Sequence, residues 1–179
     1  MSDTKYDSII IGGGPAGSTL ATRLAQAGHR VLVLEQERFP RFHIGESLLP
    51  CSMPLFERLG VRHKLDQAGF LPKYAAEFVT GDAALYRRYA FADGVVDGPP
   101  SAYEVDRSEF DAVLLRHAAE SGAEVIQGVR VTHFSIDAHR GVEVTVREVP
   151  EAGAQASDGA GPRGTERRFF GEILVDASG

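Results

Sequence analysis

The run Tyr6-Asp7-Ser8-Ile9-Ile10-Ile11-Gly12-Gly13-Gly14-Pro15-Ala16-Gly17, with Val31-Leu32-Val33-Leu34-Glu35 beginning fourteen residues after its end, decides how this chain folds. It predicts a strand, a glycine turn, a helix over about Ala16 to Ala27 that Gly28 ends, and a second strand closed by an acid. Gly12 permits a tight turn, Gly14 lets the backbone approach a pyrophosphate, and Gly17 lets the helix pack closely on the sheet. The start of that helix aims unpaired N–H groups and the positive end of its dipole at phosphates. Glu35 stands eighteen positions after Gly17, close to the offset of about 20 at which a carboxylate meets a ribose hydroxyl. An acid there disfavours a 2′-phosphate, so the ligand implied is FAD or NAD rather than NADP.

The chain has 179 residues, 43% hydrophobic and 25% charged, which suffices for one domain with a real core. A net charge of −6 offers no basic footprint for nucleic acid. No apolar run reaches the roughly 18 residues of a membrane span, and Met1-Ser2-Asp3-Thr4-Lys5 lacks a signal-peptide pattern, so the reading is cytoplasmic with no membrane span. The single cysteine, Cys51, has no cysteine partner and is expected to be a buried small hydrophobe. The six histidines are scattered, and no metal is assigned.

Beyond Glu35, the stretch Arg38 to Ser47 mixes aromatic, basic and acidic residues and is expected on the cofactor side of the sheet. A short helical pattern follows near Met53 to Leu59. Ala76-Glu77-Phe78-Val79 and Leu85 to Phe91 predict a two-stranded antiparallel excursion, within residues 70–104, that the Gly/Pro-rich loop Asp93 to Pro100 breaks off. A second helix is predicted from about Arg107 to Ser121, with Asp106 as its N-cap and Phe110, Val113, Leu114 and Ala118 on one face. Glu124-Val125-Ile126 then supplies a short buried strand that completes a second crossover. Val129 to Ile136 and Val142 to Glu148 alternate as two strands, Pro150 to Thr165 reads as a mobile hairpin loop, and Arg167 to Phe170 returns as the third strand of a meander. Ile173-Leu174-Val175 predicts a separate buried strand running into Asp176-Ala177-Ser178-Gly179. A parallel strand needs a covering helix, so the chain is expected to be the N-terminal part of a larger protein, with a substrate domain beyond residue 179.

The opening run, the helix start Val105-Asp106-Arg107-Ser108-Glu109-Phe110-Asp111 and the closing Val175-Asp176-Ala177-Ser178-Gly179 resemble the N-terminal FAD-binding portion of the flavoprotein monooxygenase superfamily. The resemblance implies an α/β fold, a Rossmann-like FAD-binding sheet with a three-stranded β-meander, and FAD rather than NAD. Phe39-Pro40-Arg41-Phe42-His43-Ile44-Gly45-Glu46-Ser47-Leu48-Leu49-Pro50 is similar to the corresponding loop of flavin-dependent halogenases. Gly69-Phe70-Leu71-Pro72-Lys73-Tyr74-Ala75-Ala76-Glu77-Phe78 resembles the segment in which halogenases place their essential lysine, which falls on Lys73. The family's usual aromatic and glycine positions are replaced here by Ala75, Val79 and Thr80.

That resemblance implies Lys73 as the catalytic group and, for FAD, Gly12, Gly14, Pro15, Ala16, Gly17, Glu35, Arg41, Ile44, Ser47, Arg107, Val131 and Asp176. His43 and Glu46 are read as hydrogen-bonded structural residues. It further implies reduced FAD delivered by a separate flavin reductase, chloride as co-substrate, and a small electron-rich aromatic, phenolic or pyrrolic substrate, free or tethered to a carrier protein. Lysine chemistry suits the task because an ammonium donates a hydrogen bond to an oxidant and a neutral amine can be chlorinated. Two other readings stand beside halogenation: a monooxygenase or reductase of the same fold, and a flavin-binding fragment without turnover. Halogenases carry a Trp-x-Trp-x-Ile-Pro segment in their later half, and this chain has no Trp.

Overall fold

In the computed structural model, residues 5–82, 84–94, 98–150 and 166–179 are described. The elements in chain order are β1 (Lys5–Ile11), α1 (Pro15–Gln26), β2 (Val31–Glu35), α2 (Met53–Leu59), α3 (Arg62–Gln67), β3 (Leu71–Lys73), β4 (Ala75–Val79), β5 (Tyr86–Ala90), β6 (Ala102–Glu104), α4 (Arg107–Glu120), β7 (Glu124–Gln127), β8 (Val129–Asp137), β9 (Gly141–Glu148) and β10 (Glu166–Asp176). They divide into two compact units, one of Met1–Arg41 with Asp111–Gly179 and one of Phe42–Phe110.

The first unit is built on a six-stranded sheet of order β7-β2-β1-β10-β9-β8. Strands β7, β2, β1 and β10 run parallel, and β9 and β8 continue antiparallel. All five residues of β2 are buried, as the unbroken Val-Leu-Val-Leu run demands of a strand covered on both faces. Val31 and Val33 pack with Ile10, Ala21, Leu115 and Ala118 on one face. Leu32 and Leu34 pack with Ile9, Val142, Val144, Val146 and Phe169 on the other. Each fully buried aliphatic side chain here contributes roughly 1.5–3 kcal/mol of transfer free energy.

Three expectations for this unit need correction. The strand expected to be buried at Glu124-Val125-Ile126 is the edge strand β7, with Glu124 exposed and Val125 and Ile126 half-buried. The predicted return strand at Arg167 to Phe170 and the predicted strand at Ile173 to Val175 are one continuous strand, β10, pairing antiparallel with β9 over Glu166–Gly171 and parallel with β1 over Phe170–Asp176. Gly171 looks like a break in sequence, yet a Cβ there would lie 2.9 Å from Ile9 Cγ1, so the glycine makes room for the neighbouring strand. Nor is the end of β10 uniformly buried: Leu174 and Val175 are half-buried against opposite faces of the core, while Ile173 is 59% exposed. The predicted loop from Pro150 to Thr165 falls, apart from Pro150, outside the described residues.

The second unit closes around aromatic side chains. Phe56 and Phe70 both meet Phe110 edge-on, at 5.8 and 6.2 Å between ring centroids, and Phe70 also tilts against Tyr103. Met53 and Leu59 of α2, Leu65 of α3 and Val61 between the two helices are buried. The predicted hairpin is present as β4 and β5. The short helix α3 and the strand pair β3–β6 had no periodic signal in the sequence because both are too short to show one. Cys51 corrects another expectation: it is exposed, in a single 3₁₀ turn over Pro50–Ser52 in which nothing is buried.

Candidate functional site

In the first unit the site is the turn between β1 and α1. Gly12 adopts φ +99°, and a Cβ on it would fall 2.5 Å from the Ala177 carbonyl oxygen. Gly17 sits so close beneath the turn that a Cβ would lie 2.0 Å from the Gly12 oxygen. Gly17 is therefore demanded by the close packing that the spacing predicts, and Gly12 by the positive φ of the turn and, beyond that prediction, by the approach of the Ala177 backbone. Gly14 is the N-cap of α1, Pro15 its first residue, and Ala16 is exposed in its first turn. Ser18 Oγ donates to the Gly13 carbonyl at 2.7 Å and fixes the turn from inside.

Glu35 is 6% exposed, and both its oxygens are engaged: Oε2 accepts the Gly13 N–H at 2.6 Å and Oε1 the Glu37 N–H at 2.7 Å. Each carboxylate oxygen keeps a further lone pair for a hydroxyl. Arg41 closes the other side. Its Nη2 would lie 3.5 Å from a Cβ on Gly14, its Nε is 2.9 Å from Glu37 Oε2, and its Nη2 is 3.7 Å from the fully buried Asp111 carboxylate. Among the described residues Arg41 Nη1 is buried with no hydrogen-bond partner. An orphaned guanidinium N–H beside a side-chain-free turn at a helix N-terminus suits a phosphate group, so the residues present fit the pyrophosphate of FAD.

The segment bearing Arg41 is itself anchored. The Phe39 N–H donates to Gln127 Oε1 at 2.7 Å, and the Arg41 guanidinium stacks over the Phe39 ring at 4.7 Å. Asp176, at the end of β10, is exposed, and the Ser178 hydroxyl and N–H hold its carboxyl below the usual carboxylate range. Val131 is partly buried on β8, paired with Val146 at the margin of the core. Asp111 and the Gly13 N–H were not among the predicted site residues. An acid on the apolar face of α4 was the sequence signal for Asp111.

In the second unit, Arg107 donates from Nη1 to the Ile44 carbonyl at 2.9 Å and more distantly to Gly45, so the helix start ties down the loop that carries Ile44, whose own side chain is 77% exposed. His43 Nδ1 lies 2.8 Å from the Ile44 oxygen. Asp106 caps α4 as predicted, accepting the Ser108 N–H at 2.7 Å. The Glu46 carbonyl accepts from the Val105 N–H and the Leu48 N–H donates to Tyr103, which lays Ser47 along β6 opposite Glu104.

Lys73, the last residue of β3, pairs with Ala102 on the other side of β6. Its Nζ donates to Ser47 Oγ and, at 3.3 Å, to the Leu48 carbonyl, and it lies 5.6 Å from the centre of the Phe91 ring. The structure thus brings together two of the predicted site residues, Lys73 and Ser47, that are 26 positions apart. Phe91, which completes this environment, was not singled out in the sequence.

The model of the FAD binding domain family matches residues 5–157. The chain belongs to this family. A flavin-dependent halogenase of Armillaria mellea is 40% identical over 176 residues, covering 97% of this chain and 32% of that protein. Among solved structures, a flavoprotein/dehydrogenase from Cytophaga hutchinsonii superposes with a TM-score of 0.85 at 31% identity, over 98% of this chain and 40% of that one. The myxobacterial chondrochloren halogenase superposes with a TM-score of 0.82 at 36% identity, over 97% of this chain and 37% of that one. The FAD-binding chain therefore spans about a third of the length of the Armillaria relative and resembles flavin-dependent halogenases along nearly all of its own length. No helix among the described residues is long and apolar enough to cross a membrane.

Proposed function

We propose that the protein is an FAD-dependent halogenase that chlorinates an electron-rich aromatic ring, phenolic or pyrrolic, free or tethered to a carrier protein. The observation that carries the reading is the environment of Lys73, whose nitrogen faces two oxygen acceptors and an aromatic face. FAD would be held by the turn at Gly12, Gly14 and Gly17, by the first turn of α1 at Pro15 and Ala16, by Arg41 at the pyrophosphate and by Glu35 at the ribose, with Ile44, Arg107, Val131 and Asp176 as further contacts, while the Ser47 hydroxyl is taken up by Lys73. Reduced FAD, when bound, supplies two electrons to dioxygen, which takes two more from chloride to give hypochlorous acid and water.

Lys73 orients that oxidant. Its ammonium donates a hydrogen bond to the hypochlorous oxygen and polarises the O–Cl bond. The ring carbon takes the chlorine with loss of its proton, and the hydroxyl leaves as water. A separate reductase supplying reduced FAD, and a cytoplasmic location, belong to the same reading.

The test is the Lys73→Ala variant of the full-length protein, assayed with a flavin reductase, chloride and a panel of free and carrier-bound phenols and pyrroles. Loss of chlorinated product with FAD binding intact is the expected result. Full yield from the variant excludes the lysine role, and a hydroxylated ring in place of a chlorinated one assigns the protein to monooxygenation.

A further inference from the structure

We infer that Ser47 is the positioning residue for Lys73, and this rests on the halogenase reading of that lysine. A lysine carries four rotatable bonds and about 2 kcal/mol of rotamer entropy, so an unrestrained ammonium points in no fixed direction. Three features remove that freedom. Ser47 Oγ accepts one N–H and the Leu48 carbonyl accepts a second, which leaves the third for a bound reactant. The face of Phe91 lies alongside the same nitrogen, and the Phe91 N–H donates to the Tyr74 carbonyl at 2.9 Å, so the ring is tied to the residue next to Lys73.

Ser47 is itself rigidly placed. The residues on either side of it are hydrogen-bonded to Val105 and Tyr103, at 2.8 and 3.0 Å, and β6 holds β3 along its other edge. The lysine and its serine acceptor are thus fixed from the two sides of one strand. Among the described residues Ser47 Oγ is the one side-chain oxygen that Lys73 meets, and the contact to Leu48 is a backbone one that no side-chain change removes. The hydroxyl therefore sets the direction of the remaining N–H, and its loss turns that N–H away from the reactant without touching the reactant itself.

The experiment is a double-mutant cycle in the full-length protein with Ser47→Ala, Lys73→Ala and the pair, reading kcat, KM for the ring substrate, FAD affinity and hypochlorous acid release. Ser47→Ala is expected to lower kcat by about 10- to 100-fold with KM and FAD affinity unchanged. Ser47→Thr, which restores a hydroxyl, is expected to recover most of the rate. The double variant is expected to be no slower than Lys73→Ala alone, because Ser47 acts through the lysine. A parallel loss of FAD affinity in Ser47→Ala, or additive losses in the pair, overturns the positioning role. Full activity of Lys73→Ala is a different failure, that of the lysine reading itself.

Discussion

Glu35 and Gly13 meet across the site: the carboxylate that ends β2 accepts the N–H of the central glycine of the turn after β1, at 2.6 Å, while its second oxygen holds the Glu37 N–H. The acid therefore shapes the turn whether or not a ribose is bound. Glu35→Gln replaces one acceptor oxygen by an NH₂ group and sets it against an N–H donor. We expect FAD affinity to fall about 10- to 100-fold, equivalent to about 1.4–2.8 kcal/mol, in a fluorescence titration. An unchanged Kd removes Glu35 from both tasks.

Arg41 offers a second measurement at the same turn. Arg41→Met keeps much of the stem that packs in the protein and removes the guanidinium N–H groups beside Gly14. The expected loss in FAD affinity is about 1.5–3 kcal/mol, the range for a hydrogen bond to a charged group, and the salt dependence of binding should weaken with it. Equal salt slopes for both proteins would show that Arg41 does not meet a phosphate.

The glycines separate close approach from backbone conformation. Gly28 has φ +87° with no atom of the described residues within 4 Å of where a Cβ would stand, so Gly28→Ala is expected to cost about 1–2 kcal/mol through the left-handed backbone alone. Gly17→Ala places a methyl group 2.0 Å from the Gly12 oxygen and must displace backbone, with an expected loss above about 3 kcal/mol. Urea unfolding of the two variants side by side decides this, and equal losses contradict the close packing of α1 on the turn.

Tyr6 gives an alkaline signature. Burial, with the hydrogen bond its hydroxyl donates to Glu124 at 2.7 Å, pushes its phenol up to about 12 from an ordinary 10. Above pH 10 the unfolded chain releases this proton and the folded chain keeps it, so stability should be full below pH 10 and fall as pH rises towards 12. Tyr6→Phe should lose part of that slope in unfolding curves between pH 9 and about 12. An identical slope in both proteins assigns the alkaline loss to other groups.

What could be read in the sequence was local. The approach of Gly17 to Gly12, the apolar run of β2 and the Asp106 cap each depend on residues within a few positions of one another, and each is found where the pattern puts it. What could not be read depends on neighbours distant in sequence. Gly171 answers to Ile9, Ser47 answers to Lys73, and the exposure of Cys51 follows from a turn with no buried residue. The hairpin β4–β5 was legible because its two strands are adjacent in sequence, whereas β3 and β6, separated by that hairpin, pair over three residues only.

The position of β10 also orders events in time. It lies between β1 and β9, so the parallel and antiparallel halves of the sheet have no shared strand until residues 166–176 have been made. At about 5–20 residues per second of synthesis, the first strand waits roughly 10–30 s for its central neighbour. For that interval one edge of β1 waits for its neighbour, and the nascent chain carries its glycine turn before Ala177, whose carbonyl stands against Gly12, has been made.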